Sequence, residues 1–232
     1  MTVPGKLIAV EGIDGSGKQT QVRLLAEALG SHGHQVFVTG FPQYDSWFGT
    51  MVGQFLNGDF GPIHGLDPRI TAMLYAGDRF ERKGPIVSAL SRGDIVIADR
   101  YVASNLAHQT ARAAPDKRDE LRGWIEHLEY GIYGLPKEDL VLYLRVPPRQ
   151  AQSLVLKKSA RAYTEAGHDI LEADLSHLQH AMEMYDFLAK RTNWKTIDCY
   201  DGASQTMRAP EHIAAQVLAA TTPTLASLQE HH

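Results

Sequence analysis

The most chemically informative part of the sequence is a glycine-rich stretch that directly follows a short apolar run. It has the pattern G-x-x-x-x-G-K and consists of Gly12, Ile13, Asp14, Gly15, Ser16, Gly17, Lys18, Gln19 and Thr20. Glycines let the backbone wrap closely around an anion with successive N–H groups pointing inward. The helix that begins there adds the positive end of its dipole, and Lys18 adds a full charge. We interpret this stretch as a phosphate-binding loop. The alternative is a glycine-rich turn without a ligand.

One position of the loop departs from the usual pattern, because Gln19 stands where a Ser or Thr normally helps to hold Mg²⁺. Nucleotide phosphates carry Mg²⁺, and the ion keeps several water ligands. We therefore still expect Mg²⁺ together with ATP. Asp14 and Asp99 are the candidate carboxylate ligands, and Thr20 is the candidate hydroxyl.

A second pair of chemically useful side chains, Asp99 and Arg100, follows the third apolar run. If that run is a strand of a parallel sheet, its carboxyl end lies beside the phosphate loop. Asp99 can orient a metal-bound water, and the planar guanidinium of Arg100 can bind a phosphate through two hydrogen bonds. The alternative is a structural ion pair at the end of a strand.

Tyr75 and Arg79 are four residues apart in a helical segment and therefore share one helical face. A ring and a guanidinium on one face can stack on a base and donate to its carbonyl group. The alternative is a core tyrosine beside a solvated arginine.

A basic stretch with Lys157, Lys158 and Arg161 precedes the turn-forming residues Thr164 to Asp169. Two helical patterns flank it, which predicts a lid at about 157–170. A closing cationic lid suits phosphoryl transfer, which depends on positioning and charge stabilisation. The alternative is a solvated basic helix end.

The elements that must position these residues alternate between short apolar runs and helical patterns. The runs are Leu7 to Val10, Val36 to Val38, Ile95 to Ala98, Leu140 to Leu144 and Thr196 to Cys199. They are apolar on successive residues, which is typical of strands covered on both faces of a parallel sheet. The fold class is therefore α/β, a doubly wound five-stranded parallel sheet flanked by helices with a short lid.

The helical patterns begin near Lys18, Asp67, Leu121, Leu175 and Pro210. Asp67 and Pro68 form a typical helix start, and the Gly84-Pro85 step is expected to break or kink the helix that begins there. We predict one domain over residues 1–220 and a weakly structured C-terminal tail over residues 221–232.

Composition narrows the class of protein further. The chain has 232 residues, of which 44% are hydrophobic and 22% charged, and a formal net charge of -4. This balance argues against a nucleic-acid coat or a polybasic membrane binder. A single cysteine, Cys199, excludes an intrachain disulfide and fits a reducing compartment. The longest aliphatic runs are too short to span a bilayer, and we expect a soluble, cytoplasmic protein.

The sequence resembles the thymidylate kinase family from about Lys6 to Ala219. The matching segments are EGIDGSGKQTQ, the dipeptide Phe41-Pro42, LYAGDRFE and LSRGDIVIADRYVASNLAHQ. An adenylate kinase would have a proline in its loop, where this chain has Asp14-Gly15. The resemblance implies transfer of the ATP γ-phosphate to dTMP, giving ADP and dTDP in dTTP biosynthesis, by a homodimer.

The resemblance also implies roles for individual residues. Lys18 would hold the ATP phosphates, Asp14 would lie between sugar and phosphate chemistry, and Arg100 would bind the acceptor phosphate. The residues that would contact dTMP are Asp14, Phe41, Tyr75, Arg79, Arg100, Asn105, His108 and Gln109. His108 replaces the usual tyrosine near the deoxyribose. It is shorter than tyrosine and can become charged near neutral pH.

Some family members place a catalytic arginine directly after the aspartate of the phosphate loop, where this chain has Gly15. The missing charge must come from elsewhere. The lid is the natural source, so Arg161 is the expected catalytic arginine, assisted by Lys157 and Lys158.

Two other readings of the sequence remain open. The first is a nucleotide or deoxynucleoside kinase with a different acceptor. The second is a non-catalytic P-loop nucleotide sensor. A GTPase would normally carry an Asn-Lys-x-Asp motif, and no lysine here follows an asparagine.

Overall fold

The computed structural model describes residues 4–62, 65–161 and 174–229. Its main sheet has five parallel strands in the order β2-β3-β1-β4-β5. The strands are β1 (Lys6–Glu11), β2 (Val36–Gly40), β3 (Ile95–Asp99), β4 (Leu140–Arg145) and β5 (Trp194–Asp198). The predicted parallel α/β sheet is confirmed. Four of the five apolar runs lie within its strands, and the fifth overlaps β5 and ends one residue beyond it, at Cys199.

Within residues 4–62, 65–161 and 174–229, eight α-helices connect or follow these strands. They are α1 (Lys18–Ser31), α2 (Trp47–Leu56), α3 (Pro68–Ser91), α4 (Val102–Ala111), α5 (Arg118–Glu126), α6 (Pro148–Arg161), α7 (Leu175–Leu188) and α8 (Pro210–Gln229). A 3-10 turn (Pro115–Lys117) precedes α5, a π-helix (His127–Ile132) follows it, and a small antiparallel hairpin pairs β6 (Tyr200–Asp201) with β7 (Thr206–Met207).

The strand order explains where a ligand can bind. β1 pairs with β3 on one side and with β4 on the other, so the chain connections change direction at β1. Such a change opens a crevice outside the carboxyl ends of the strands. The apolar residues of β1 and β3 are almost completely buried, which makes this part of the sheet a rigid support for the segments that follow its strands.

The start of α3 agrees with the sequence, but its middle does not. The Asp67 carboxylate accepts from the backbone N–H of Arg69 at 2.8 Å, as expected of a helix cap. The expected break at Gly84-Pro85 is wrong, because α3 continues through Pro85 to Ser91. Ile86 and Ala89 are fully buried on the far side of the proline. Their packing opposes the local cost of an interior proline, about 3 kcal/mol.

The expectation of a weakly structured tail is wrong for residues 221–229, because α8 extends to Gln229. Thr221 is fully buried and Leu225 is 5% exposed, so the helix keeps an inward face beyond the predicted boundary.

The sequence patterns did not predict helix α2. The Ser46 hydroxyl caps this helix by accepting from the backbone N–H of Gly49 at 2.9 Å.

Candidate active site

The phosphate loop joins β1 to α1 and contains three glycines with positive φ. These are Gly12 (145°), Gly15 (81°) and Gly17 (85°). Gly17 is the residue before α1. The loop therefore places its backbone N–H groups and the positive end of the α1 dipole at the carboxyl edge of the sheet, as the sequence predicts.

Gly15 has no room for a side chain. A Cβ atom there would lie far inside van der Waals contact with the backbone carbonyl of Ala151 on α6. Its left-handed backbone adds a further cost for any other residue type. The packing of α6 therefore explains why this loop carries no arginine after Asp14.

Lys18 lies in the first turn of α1 and is 7% exposed. Its Nζ donates to the carbonyl oxygens of Gly12 at 3.0 Å and Ile13 at 2.9 Å. Burial, and then the nearby Arg100 cation, lower the pKa of Lys18 to about 8. The ammonium is thus held inside the loop at the place where a phosphate would bring negative charge.

Arg100 sits directly after β3 with a φ of 65°, which is unusual for a residue other than glycine. Its Nη2 forms an ion pair with Asp14, and its Nη1 donates to the Ser104 hydroxyl at 3.2 Å. Although burial acts in the opposite direction, Arg100 and Lys18 hold the pKa of the Asp14 carboxyl well below its usual range. Arg100 pairs with the phosphate loop and makes no ion pair with its neighbour Asp99 among the described residues.

Glu11, at the end of β1, forms hydrogen bonds that hold the segment carrying Arg100. Sequence reasoning did not predict this role. The fully buried Glu11 carboxylate accepts from the backbone N–H of Tyr101 at 2.6 Å, from the Ser104 hydroxyl at 2.7 Å and from the Tyr185 hydroxyl at 2.9 Å. Burial raises the pKa of Glu11. The carboxylate ties the end of β1 to the start of α4, next to Arg100. Its one sequence signal is a charged residue at the end of an otherwise apolar run.

Arg79 and Asn105 share a second buried acid, Glu129, which sequence reasoning also missed. Arg79 is 1% exposed, and its Nε and Nη2 both donate to the Glu129 carboxylate. The Asn105 amide Nδ2 donates to the same carboxylate at 2.7 Å and to the Ala72 carbonyl at 3.0 Å. The alternative of a solvated Arg79 is therefore wrong.

Aromatic rings lie close to this buried pair. Tyr75 shares the cleft with Arg79, and its ring meets that of Phe55 edge-on, with centroids 6.4 Å apart. Phe41 follows β2 and is 6% exposed, with its ring centroid 6.1 Å from that of Tyr101.

His108 and Gln109 lie on α4 and also line the cleft. His108 contacts Arg100 on one side and His177 on the other. The Gln109 amide oxygen accepts from the Thr71 hydroxyl at 2.6 Å and from Arg112. Gln109 is therefore engaged within the protein as well as facing the cleft.

Two clefts meet at Asp14, Phe41 and Arg100. The acceptor cleft, as we name it, has a volume of about 120 Å³. It is lined by all the residues predicted to contact dTMP: Asp14, Phe41, Tyr75, Arg79, Arg100, Asn105, His108 and Gln109. The donor cleft, the adjoining one, is lined by Gly15, Gly17, Lys18, Gln19, Thr20, Asp99, Leu154 and Val155, besides the shared residues.

The three candidate metal ligands, Asp14, Asp99 and Thr20, line the donor cleft together. No group of three or more His, Cys, Asp or Glu residues that could hold a metal exists in the described part of the chain. The expected lid at about 157–170 is only partly described. The side chains of Lys157, Lys158 and Arg161, and all of 162–170, lie outside the described residues.

A parallel α/β sheet with a phosphate loop at its central strand and a second cleft beside it defines the class of P-loop phosphotransferases. The model of the thymidylate kinase family matches residues 10–209. The chain therefore belongs to the thymidylate kinase family, which confirms the resemblance seen in the sequence.

Curated relatives agree. The thymidylate kinase of Mycobacterium tuberculosis is 34% identical over 189 residues, 79% of this chain and 85% of that protein. A probable thymidylate kinase of Pyrobaculum calidifontis is 32% identical over 224 residues, 96% of this chain and 98% of that one. A thymidylate kinase structure from Candida albicans shares the fold, with a TM-score of 0.72 at 21% identity over 96% of this chain and 93% of that one.

Proposed function

We propose that this chain transfers the γ-phosphate of Mg²⁺-bound ATP to dTMP in the cytoplasm, giving ADP and dTDP for dTTP synthesis. The observation that carries the proposal is a fixed hydrogen-bond donor beside a fixed acceptor in the acceptor cleft. Arg79 supplies the donor and Asn105 the acceptor, and both are held by Glu129.

The orientation of Asn105 follows from its partners. Its Nδ2 faces two acceptors, Glu129 and the Ala72 carbonyl, so the amide N–H groups must point there. Its Oδ1 is buried and has no hydrogen-bond partner among the described residues. A buried, unpaired carbonyl is costly, and a ligand N–H would satisfy it.

The donor side follows in the same way. Arg79 uses Nε and Nη2 on Glu129, while Nη1 makes no hydrogen bond within the described part of the chain. A donor beside an acceptor matches the C4 carbonyl and the N3–H of thymine. Cytosine presents an amino donor and a bare ring nitrogen at these positions, so it opposes both groups. Tyr75 and Phe41 supply the aromatic surfaces beside this edge.

With the shared residues between the two clefts, the two substrates would lie head to head. Arg100 would bind the acceptor phosphate, and the loop amides with Lys18 would hold the phosphates of ATP. Phosphoryl transfer requires chiefly positioning and charge stabilisation. Asp14 holds the Arg100 guanidinium between the clefts. Arg100 would therefore provide positive charge on the acceptor side of the transferring group, and Lys18 would provide it on the ATP side.

The residues of the donor cleft fit Mg²⁺, which prefers oxygen ligands and binds through one or two carboxylates plus substrate phosphates. Asp99, Asp14 and Thr20 would hold it directly or through water. Asp99 makes no side-chain hydrogen bond to the described residues, whereas Asp14 is paired with Arg100. Asp99 is accordingly the better candidate. When bound, the ion neutralises charge on the transferring phosphate oxygens.

Arg161 of the lid is the proposed source of the catalytic charge missing at Gly15, with Lys157 and Lys158 assisting. The support is the steric block at Gly15, since the phosphate loop itself cannot carry an arginine in this backbone. We expect Arg161→Ala to lower kcat more than it weakens dTMP binding. An unchanged kcat would remove Arg161 from this role.

The acceptor is tested by a coupled assay of ADP release with dTMP, dUMP, dCMP, AMP and GMP at equal concentration. We expect dTMP to give the highest kcat/KM, dUMP to follow and dCMP to be the poorest pyrimidine. A preference for dCMP or AMP would contradict the base assignment and favour a different nucleotide kinase. Identification of dTDP as the product excludes simple ATP hydrolysis.

A homodimer is the second part of the proposal, and an apolar stripe on α3 supports it. Ile70, Met73, Phe80 and Val87 follow helical spacing and are 41–48% exposed. Such a stripe marks an interaction surface, and a second copy presents a matching face about a twofold axis. Light scattering should give twice the chain mass of 25.7 kDa. Phe80→Glu should give the monomer, whereas Phe187→Glu on α7 should leave the dimer intact.

A further inference from the structure

His108 has a different partner on each of its two ring nitrogens. Its Nε2 lies 3.5 Å from Nη1 of Arg100, and its Nδ1 lies 3.2 Å from Nε2 of His177. The Tyr185 ring meets the His108 ring edge-on at 85°, with centroids 5.9 Å apart. The plane of the His108 ring is therefore fixed, and each nitrogen has one direction in which to bond.

The position of the proton follows from Arg100, whose guanidinium has donors and no acceptor. Nε2 of His108 must therefore offer a lone pair, because a proton there would place two N–H groups face to face. The single proton of the neutral ring is then on Nδ1 and is donated to His177. A His177 that donated instead would leave His108 without any proton, as an anion, so His177 must be the acceptor.

The surroundings keep His108 uncharged. Burial, and then the cations Arg100 and Lys18, hold the pKa of His108 well below its usual value, against the opposing effect of Asp14. His177 is 7% exposed, and its backbone N–H donates to the Asp174 carboxylate, which caps α7. His177 is thus a fixed acceptor at the start of a helix.

We propose that His177 is a positioning residue for the acceptor phosphate site. It holds His108 in the Nδ1-protonated tautomer, so that His108 presents a lone pair to Arg100 and steadies the guanidinium that binds the acceptor phosphate. This inference rests on the proposed role of Arg100. Arg100 itself contacts the phosphate loop through Asp14 and the Gly12 carbonyl, but His108 and His177 make no hydrogen bond to that loop within the described residues. The effects of His177 are therefore expected on the acceptor and not on ATP.

The first test is a long-range ¹H–¹⁵N correlation spectrum of the histidine rings in the protein without substrates near neutral pH. The His108 signals are assigned by their loss in His108→Gln. We expect a protonated Nδ1 and a bare Nε2 for His108. The opposite tautomer in the wild-type protein would overturn the proposal. This result does not depend on which nucleotide is phosphorylated, so it separates failure of this inference from failure of the proposed function.

The second test is the kinetics of three variants. His177→Phe keeps the ring and removes the acceptor, so the KM for dTMP should rise by about fivefold, the cost of one hydrogen bond. The KM for ATP should stay constant, and the His108 signals should show a mixture of tautomers. His177→Gln retains an acceptor at a similar reach and should restore both the KM for dTMP and the single tautomer.

His180→Phe is the matched control, because His180 lies on the same helix, is exposed and makes no hydrogen bond to His108. It should behave like the wild-type protein in both tests. If His177→Phe leaves the tautomer and the KM for dTMP unchanged, the proposal is overturned. The same conclusion follows if His177→Gln is as impaired as His177→Phe.

Discussion

The donor cleft and the acceptor cleft meet at Asp14 and Arg100 but are built in different ways. The donor cleft is made largely from the backbone of one loop, with glycines at the positions that need positive φ. The acceptor cleft is made from side chains of separate segments, which are already bonded to one another: Arg79 with Glu129, Asn105 with Glu129 and Arg100 with Asp14.

This difference indicates which groups determine the ligand specificity of each cleft. A loop that binds through its backbone N–H groups accepts any phosphate chain, and its binding strength depends on the backbone conformation of the loop. A set of buried, mutually bonded side chains presents fixed donors and acceptors, and it selects one base edge because an unmatched group stays unpaired. We therefore expect changes in the acceptor cleft to alter stability and selectivity together, and changes in the donor cleft to act mainly on ATP and turnover.

The largest expected effect is that of Glu129→Gln. It leaves the buried Arg79 charge uncompensated, which should lower the free energy of unfolding by about 3–5 kcal/mol and sharply weaken dTMP binding. Urea denaturation and calorimetry measure the two effects. The exposed Arg23–Glu27 pair provides the control, since Glu27→Gln should change stability by less than about 0.5 kcal/mol.

A double variant separates stability from recognition at this site. Arg79→Met combined with Glu129→Met removes both charges and should recover most of the lost stability. It should still not bind dTMP, because the donor to the base is gone. Normal dTMP affinity in the double variant would contradict the assignment of the base edge.

The next effect is on turnover. Lys18→Ala removes the charge from the phosphate loop and should reduce kcat by roughly 10²–10³-fold or more, the usual loss for one electrostatic group in such a site. The ADP-release assay measures it, with the exposed Lys117→Ala as control. Turnover within tenfold of the wild type would show that the loop does not hold the reacting phosphates.

A pair of glycine variants tests the backbone of the donor cleft. Gly15 and Gly17 have nearly equal positive φ. A Cβ at Gly15 would meet the Ala151 carbonyl, whereas at Gly17 it would meet no atom of the other described residues within 4 Å, apart from the adjacent residues. Gly17→Ala should cost about 1–2 kcal/mol of stability from conformation alone, and Gly15→Ala should cost more. Equal losses in thermal or urea unfolding would argue against the close approach of α6 to the loop.

These contrasts also explain what the sequence could predict. The phosphate loop is local, since its pattern and the preceding strand are visible in one stretch. The position of Arg100 at the carboxyl edge of the sheet follows from its place after a strand, and its phosphate-binding role stays a prediction. Glu11 and Glu129 escaped notice because their partners lie 90 to 174 and 24 to 50 residues away, respectively. The continuation of α3 through Pro85 was also missed because it depends on tertiary contacts. The packing of Ile86 and Ala89 opposes the local preference of proline to end a helix.

The smallest expected effect is the uptake of a proton by Lys18 when ATP binds. At a pKa of about 8, the Lys18 ammonium in the free protein is about half deprotonated at pH 8. A bound triphosphate favours the charged form. ATP binding should therefore take up about half a proton at pH 8, and ATP affinity should fall as the pH rises through this value. Calorimetry in buffers of different ionisation enthalpy measures the uptake. Binding of dTMP, which does not involve Lys18, should show none at this pH.

The most direct test of the account is the binding of dTMP to the protein in the absence of ATP, measured by titration calorimetry for the wild type and for Lys18→Ala. Because the acceptor cleft is assembled by its own side chains, dTMP should bind once per chain with the same affinity in both proteins. A lack of saturable heat until a donor nucleotide is added, or its loss in Lys18→Ala, would contradict the account.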